Sequence, residues 1–352
     1  MIEIVALSDA MREAVGLAER VAPTDANVLV TGESGSGKDA LAAFIHSRSM
    51  RAAQMLVKIG CATLPSDLLE AELFGYERGA FTGATETKPG RLEAAHRGTL
   101  VLDEIAHLSL DAQAKLLRVI EHREFERLGG RKTIEVDARL IALTNADLKN
   151  AVERRAFRDD LFYRLNVVQI AVPPLRERLK DFPSLARAFV QMYAEKHGRK
   201  TQKLSREAHD LLLAYEFPGN VRELANIIER AVIVCEGAEV AASDLPESVR
   251  VAAAQRARKD RPPTLAELEA EYVRETLAAT KGNKSKAAKI LGISRKNLYE
   301  RLAREGEEVG DQKSEVRGQR SEAGGQRSEV DKRRSEPKAE NRSRSDHNKS
   351  DS

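Results

Sequence analysis

The chain has 352 residues, enough for two or three domains, because a single hydrophobic core rarely grows past about 250 residues. It is 41% hydrophobic, 32% charged and only 4% aromatic, with no tryptophan, a balance that fits a helix-rich globular protein better than an all-β sandwich. A net charge of +3 from 58 basic and 55 acidic residues is uninformative as a sum, but no apolar run approaches the roughly 18 residues of a membrane span, and the N-terminus lacks the basic-then-apolar pattern of a secretion signal.

The expectation is a cytoplasmic protein. Cys61 and Cys235 stand far apart and outside CxxC spacing, so neither a disulfide framework nor a zinc site is indicated, and the seven histidines form no ligand cluster. Over residues 1–178, apolar β-rich runs at 27–31, 99–102, 140–144 and 167–172 alternate with helical patterns such as 111–122. That alternation is the mark of a parallel sheet wrapped by helices. Residues 179–237 read as helix only, a lid-like appendage. The stretch 238–262 reads as a linker, because RVAAAQRARKDRPP at 250–263 is basic and ends in Pro262 and Pro263. Helical periodicity then resumes over 263–303, and 304–352 is a tail.

The first strand runs into Gly32-Glu33-Ser34-Gly35-Ser36-Gly37-Lys38, followed by helical residues 40–45. Strand, GxxxxGK and helix in that order define a P-loop. The glycines let main-chain N–H groups turn inward around phosphates, Lys38 supplies a point charge, and the helix N-terminus adds its dipole. This implies ATP. The residue after Lys38 is Asp39 rather than the usual Ser or Thr, so Mg²⁺ would be reached by a carboxylate, directly or through water. A second strand ends in Asp103-Glu104, placing Asp103 to anchor Mg²⁺ and Glu104 to act as general base on the attacking water. A third ends in Thr144-Asn145, polar groups able to sense the γ-phosphate or to cap a helix.

Between the first two of these strands lies Phe74-Gly75-Tyr76-Glu77-Arg78 and then Gly79-Ala80-Phe81-Thr82-Gly83-Ala84. As residues they make a loop tip: Gly79 and Gly83 permit positive φ, and Phe81 and Thr82 have no hydrophobic run to bury them. GAFTGA, with ELFGYERGAFTGA, GTLVLDEI, FRDDLFYRLNVV, PPLRER and GNVREL around it, resembles the bacterial enhancer-binding proteins, AAA+ ATPases that activate sigma-54 RNA polymerase; the resemblance covers about residues 4–303. It implies that residues 79–84 contact sigma-54 and move with nucleotide state. It implies that Arg158 and Arg164 reach into a neighbouring subunit's ATP site, so that hydrolysis needs a ring, by resemblance a hexamer. Arg222 matches the second sensor on the lid. Gly60 stands where the family usually has the Asn that restrains the glutamate corresponding to Glu104, which predicts a less restrained Glu104 here.

The C-terminal domain is legible from its residues. From Lys281 to Arg301 seven basic residues face one acid, a net +6. Apolar positions fall at helical spacing on both sides of Gly292, Asn283 and Ser294 suit N-caps, and Ala287 and Ala288 are small enough for helices to cross closely. This is helix-turn-helix geometry with 294–302 as recognition helix, and Lys284, Ser294, Arg295, Lys296, Asn297, Tyr299 and Arg301 as DNA-facing candidates. The family's version is Fis-like, and the helix at 264–280 resembles its dimerisation helix, implying a palindromic enhancer. The tail balances twelve basic against twelve acidic residues and repeats a seven-residue unit from KSEVRGQ at 313. One weakly apolar position per repeat and Pro337 argue against a coiled coil, and such a composition is expected to be disordered.

The fold expected is thus α/β, an AAA+ P-loop parallel sheet with a helical lid subdomain, then a small all-α helix-turn-helix domain. The function expected is a sigma-54-dependent activator that holds an upstream enhancer in double-stranded DNA and opens promoter complexes at the cost of ATP. The competing reading is a DNA-binding repressor with a vestigial or uncoupled ATPase, against which Lys38, Asp103, Glu104, Arg158, Arg164 and GAFTGA all stand. A helicase loader or another AAA+ machine would need no GAFTGA. With the ATPase domain starting within about five residues of Met1, control is expected from a regulatory protein acting in trans, from expression level or from assembly.

Overall fold

The computed structural model describes residues 4–201, 203–260, 265–280, 282–299 and 301–302, in two units, Met1–Lys259 and Asp260–Ser352. No helix among the described residues is long and apolar enough to cross a membrane.

The first unit opens with α1 (Asp9–Val21), whose Met11, Ala14, Ala18 and Val21 recur at helical spacing and are buried. β1 (Val28–Thr31), the glycine-rich turn and α2 (Lys38–Ser47) follow. Next come β2 (Leu56–Gly60) and α3 (Ser66–Phe74). β3 (Gly75–Tyr76) and β4 (Lys88–Pro89) form an antiparallel ribbon that projects residues 77–87 as a loop. α4 (Arg91–Ala94) leads into β5 (Thr99–Asp103). α5 (Leu110–His122) starts where the Ser109 side chain accepts from the Ala112 N–H, and it turns Ala112, Leu116 and Val119 inward. Truncating Leu116, fully buried, to Ala would cost about 2–5 kcal/mol. β6 (Glu124–Glu126) and β7 (Thr133–Glu135) make a second antiparallel ribbon. β8 (Arg139–Thr144), α6 (Leu148–Glu153), α7 (Asp159–Leu165) and β9 (Val168–Ala171) complete the domain.

The five main strands pair in the order β2-β5-β8-β1-β9, all parallel. Their side chains alternate between two cores. Leu29, Leu100, Leu102, Leu140 and Ala142 join one layer, and Val28, Val30, Val101, Ile141 and Leu143 the other, as expected where both faces of a parallel sheet are covered. The carboxyl ends of β5, β8 and β1 therefore lie side by side at one edge.

The lid comprises α8 (Phe182–His197), β10 (Lys203–Leu204), α9 (Arg206–Leu213), α10 (Asn220–Val234), β11 (Glu239–Val240) and α11 (Glu247–Asp260). Two sequence expectations are corrected here. The lid is not helix only, because β10 and β11 pair in parallel. Nor is 238–262 a free linker: Val240, Leu245 and Val249 are buried in the same core as Leu212, Phe217 and Ile228, and α11 fills most of the rest. The polar, basic look of this stretch concealed a sparse apolar spacing that suffices once a lid surface is there to receive it.

The second unit contains α12 (Leu265–Ala279), α13 (Lys284–Ile290) and a helical run at 295–299. Val273, Ala287, Ala288 and Leu298 form its core. Gly292 takes φ +70° at the turn, a conformation that glycine adopts without Cβ strain. The tail expected over 304–352, together with Lys281 and Glu300, lies outside the described residues.

Candidate functional site

The P-loop glycines hold the turn open: Gly32, Gly35 and Gly37 all have positive φ. A Cβ at Gly32 would meet the Val172 carbonyl oxygen at 2.7 Å, so close approach as well as conformation demands glycine there. Lys38 begins α2 and is only 6% exposed. Its ammonium donates to the carbonyl oxygens of Gly32 at 2.8 Å and Glu33 at 3.1 Å and lies 3.7 Å from the Glu104 carboxylate. The Ser36 hydroxyl, fully buried inside the turn, has no hydrogen-bond partner among the described residues. Ser34, Gly35, Lys38, Asp39, Asp103, Glu104 and Arg222 share one cleft of about 400 Å³. The sheet edge and the lid thus bring most of the expected nucleotide residues together.

Around this cleft Glu104 takes a left-handed backbone, φ 56° and ψ 52°. Its Oε2 accepts the Asn145 main-chain N–H at 3.0 Å. Asn145 reaches Glu104 through its backbone, whereas Thr144 is fully buried and its Oγ1 accepts the Ala146 N–H at 3.0 Å. The Thr144 side chain therefore shapes the strand end rather than facing the cleft. Arg222 reaches from α10 to donate to the Ser34 Oγ at 3.1 Å, and its N–H donates to the Gly35 carbonyl oxygen at 3.3 Å.

Lys58 is a residue that sequence reasoning missed. Its ammonium bridges Asp39 and Asp103, at 2.5 and 3.0 Å. Partial burial opposes the charge, yet hydrogen bonds to Asp39 and then Asp103 hold Lys58 above its ordinary pKa. The available signal was its place in β2, two residues before Gly60, which is paired in register with Asp103. Two carboxylates that share one ammonium are placed to share a metal cation. Among the described residues no cluster of three or more His, Cys, Asp or Glu could cage a metal alone; the donor set fits Mg²⁺, which takes one or two carboxylates and completes its shell with phosphate and water. Cys61, next along, is buried, and that burial, with the charges of Asp103 and Glu104, pushes its thiol up to about 12.

The Glu33 carboxylate accepts both terminal nitrogens of Arg176, at 2.8 and 2.6 Å, and the Asn220 amide at 3.0 Å, which leaves only its main-chain N–H for a phosphate. Arg176 and then Asn220 hold it down to about 2.

Arg158 and Arg164 do not line the cleft of their own chain. Arg158 forks onto Asp160, at 3.0 and 2.7 Å, and Arg164 pairs with Glu121 at 2.9 Å. Both sit on the surface, at 40% and 61% side-chain exposure.

In the 79–84 loop Gly79 and Gly83 both have positive φ. The Gly79 N–H donates to the Ala84 carbonyl oxygen at 2.8 Å, closing the base of the loop. Thr82 is exposed, and Phe81 is 41% exposed with its ring edge-on to Tyr76 at 5.0 Å. Ala84, expected with the contact surface, is instead buried at the loop's base, because it closes the turn. Behind the loop Arg127 forks onto Glu93 and also holds Glu77, at 2.7 to 2.9 Å.

In the helix-turn-helix unit the Asn283 side chain accepts the Lys286 N–H at 3.1 Å and the Ser294 Oγ accepts the Asn297 N–H at 3.2 Å. Arg295, Lys296 and Asn297 are exposed. Lys284 sits over the Tyr299 ring at 4.7 Å, a cation–π contact that joins the two helices. Arg301 pairs with Glu269 of α12 and with Asn297 at 3.2 Å, so its guanidinium is engaged within the fold.

A buried P-loop lysine, a DE pair at the sheet edge, a lid arginine on the loop rim and an appended helix-turn-helix define the class: an AAA+ ATPase joined to a DNA-binding module. Comparison with known proteins matches residues 4–171 to the sigma-54 interaction domain, 176–262 to the AAA+ ATPase lid domain and 264–304 to the bacterial regulatory protein, Fis family. The regulatory protein AtoC of Escherichia coli (strain K12) is 42% identical over 316 residues, 88% of this chain and 68% of AtoC. The transcriptional regulatory protein ZraR of Klebsiella oxytoca is 47% identical over 300 residues, 84% of this chain and 68% of ZraR. The crystal structure of NtrX from Brucella abortus in complex with ATP is similar at a TM-score of 0.66 and 36% identity, covering 86% of this chain and 70% of that one. The chain belongs to the sigma-54-dependent transcriptional activators, ATPases that carry a Fis-type helix-turn-helix.

Proposed function

We propose that the chain works as a ring, a hexamer by family likeness, in the cytoplasm, with ATP and Mg²⁺ in the cleft between the sheet edge and the lid. Lys38 binds the β/γ-phosphates and Glu104 accepts the proton of the attacking water. Arg222 reports the phosphates to the lid. Mg²⁺, held by Asp103 and Asp39, would draw charge from the phosphate oxygens. Arg158 and Arg164 act in trans on the neighbouring subunit's ATP, which fits their outward position and their absence from their own cleft. In trans they would neutralise charge that develops in the transition state.

The observation that carries the reading is the loop at 79–84, closed at its base by the Gly79–Ala84 hydrogen bond and presenting Thr82 and part of Phe81 to solvent. Such a tip is a tool for pushing on a partner, here sigma-54 in its polymerase. Arg295, Lys296 and Asn297 read double-stranded DNA at an upstream, palindromic enhancer, with the second unit dimeric. The test is ATP-dependent conversion of closed to open complexes by sigma-54 polymerase. Wild type should open the promoter, Thr82→Ala should hydrolyse ATP without opening it, and Glu104→Ala should do neither. A wild type that binds the enhancer but opens nothing would favour the repressor reading.

A further inference from the structure

We infer that Glu33, Arg176 and Asn220 form a latch between the rim of the P-loop and the lid, and that this latch couples lid position to nucleotide binding. The inference rests on the ATPase reading and deepens it: Glu33 is a positioning residue, not a phosphate ligand.

Asn220 is the centre of the arrangement. It is fully buried, at the start of α10, and its backbone stands at φ +54°, a conformation that asparagine tolerates better than most residues. Its side chain is satisfied on both ends: Oδ1 accepts the Leu175 N–H at 2.8 Å, while Nδ2 donates to the Glu33 carboxylate at 3.0 Å and the Ser34 carbonyl oxygen at 3.1 Å. One amide thus joins the turn at Leu175, the lid helix and the P-loop rim. Arg176, the next residue along that turn, forks onto the same Glu33 carboxylate. A bidentate guanidinium–carboxylate pair fixes orientation as well as distance. Backbone packing reinforces it, since a Cβ on Gly35 would collide with the Gly219 carbonyl oxygen.

Arg176 is also open on its far side. It borders a cavity of about 480 Å³ lined by Tyr215, Glu216 and Pro218, and the Glu177 carboxylate already lies 3.9 Å from it. The guanidinium is thus forked on the Glu33 carboxylate of the P-loop while a second carboxylate, Glu177, stands beside it in sequence. With the latch closed, the rim of the P-loop and the start of α10 move together, so a phosphate that settles the loop also settles the lid.

The test uses the full chain with Glu33→Gln, Arg176→Gln, Arg176→Lys and the Glu33→Gln/Arg176→Gln double variant. Wild-type ATP turnover, measured first, examines the ATPase reading separately. Equilibrium binding of a fluorescent ATP analogue should weaken about tenfold in each Gln variant, through lost preorganisation. KM should rise while kcat stays within about twofold. Arg176→Lys should recover part of the loss, and the double variant should bind no worse than the singles, because both remove one interaction. Hydrogen exchange supplies the decisive readout: the nucleotide should protect residues 220–224 of α10 in wild type, and the Gln variants should keep protection in the P-loop but lose it in α10. Wild-type affinity in both single variants, additive losses in the double variant, or α10 protection that survives in Glu33→Gln would each overturn the latch.

Discussion

The Asn145 main-chain N–H donates to the Glu104 carboxylate at 3.0 Å, tying the end of β8 to the glutamate of the DE pair. Lys38, 3.7 Å from its second oxygen, restrains it further. Gly60, across the sheet edge and in register with Asp103, has no side chain to add. Gly60→Asn should therefore lower basal ATP turnover and enlarge the response to sigma-54. An added Cβ would meet the Thr63 methyl and hydroxyl at 3.2 and 3.3 Å, so Thr63 has to give by a few tenths of an ångström to receive it. Steady-state ATPase with and without sigma-54 decides it, and unchanged values in both conditions would sink the idea.

Tyr76 supports the tip of the 79–84 loop from below, through the edge-on contact with Phe81. Such contacts contribute about 0.5–1.5 kcal/mol beyond buried area. Tyr76→Ala should leave ATP turnover within about twofold, since only the loop loses support, while open-complex formation falls several-fold because Phe81 is no longer held in one pose. Parallel ATPase and promoter-opening assays on one preparation test this; equal losses in both would point to a general folding defect instead.

Lys58 stands between Asp39 and Asp103 as a built-in counter-charge. A cation binding to those carboxylates has to displace it. Lys58→Met should shift the Mg²⁺ concentration needed for half-maximal nucleotide binding downward. The ion pairs are partly exposed, so the thermal stability cost should stay within about 1 kcal/mol. Binding of a fluorescent nucleotide across a Mg²⁺ titration reads the first effect; an unchanged or higher midpoint would refute the displacement.

Much of this architecture was legible in the sequence, for identifiable reasons. β5 and β8 sit inside the sheet and are buried on both faces, so their residues form continuous apolar runs. β2 lies at the sheet edge with an exposed-buried alternation and Lys58 in its middle, and it carries no such signal. The P-loop and the DE pair were readable because their chemistry is local in sequence. The role of Glu33 was not, because its partners Arg176 and Asn220 are 143 and 187 residues away and nothing near Glu33 points to them. The end of the lid was hidden for a related reason: Val240, Leu245 and Val249 are buried in a core whose other members, such as Phe182, Leu212 and Ile228, are distant in sequence.

Cys61 should be inert. Its thiol, raised to about 12 first by burial and then by Asp103 and Glu104, stays protonated in the fold. A raised acid contributes stability that is fully present below its unfolded value near 9 and is lost as pH rises towards 12. At pH 8 the folded protein should therefore react with maleimide at Cys61 at least about a hundredfold more slowly than the unfolded chain, since the thiolate is the nucleophile. Mass mapping of the labelled cysteines checks it.

The exposed basic residues of the second unit should separate by role. Arg295 faces solvent at the start of the 295–299 helix, whereas Arg301 is engaged by Glu269 and Asn297. If Arg295 contacts phosphate, Arg295→Ala should weaken DNA binding and flatten the dependence of log affinity on log salt by about 0.9 per lost contact. If it reads a base, affinity should fall by about 1–3 kcal/mol at one position of the site with the slope kept. Arg301→Ala should do neither directly, because the lost contacts are internal; its effect should be a lower melting temperature for the second unit, with enhancer affinity at low temperature close to wild type. Fluorescence-anisotropy titrations at several salt concentrations, paired with thermal unfolding, distinguish the three. A salt slope reduced in Arg301→Ala at unchanged stability would place that guanidinium on DNA and mean that Glu269 releases it on binding.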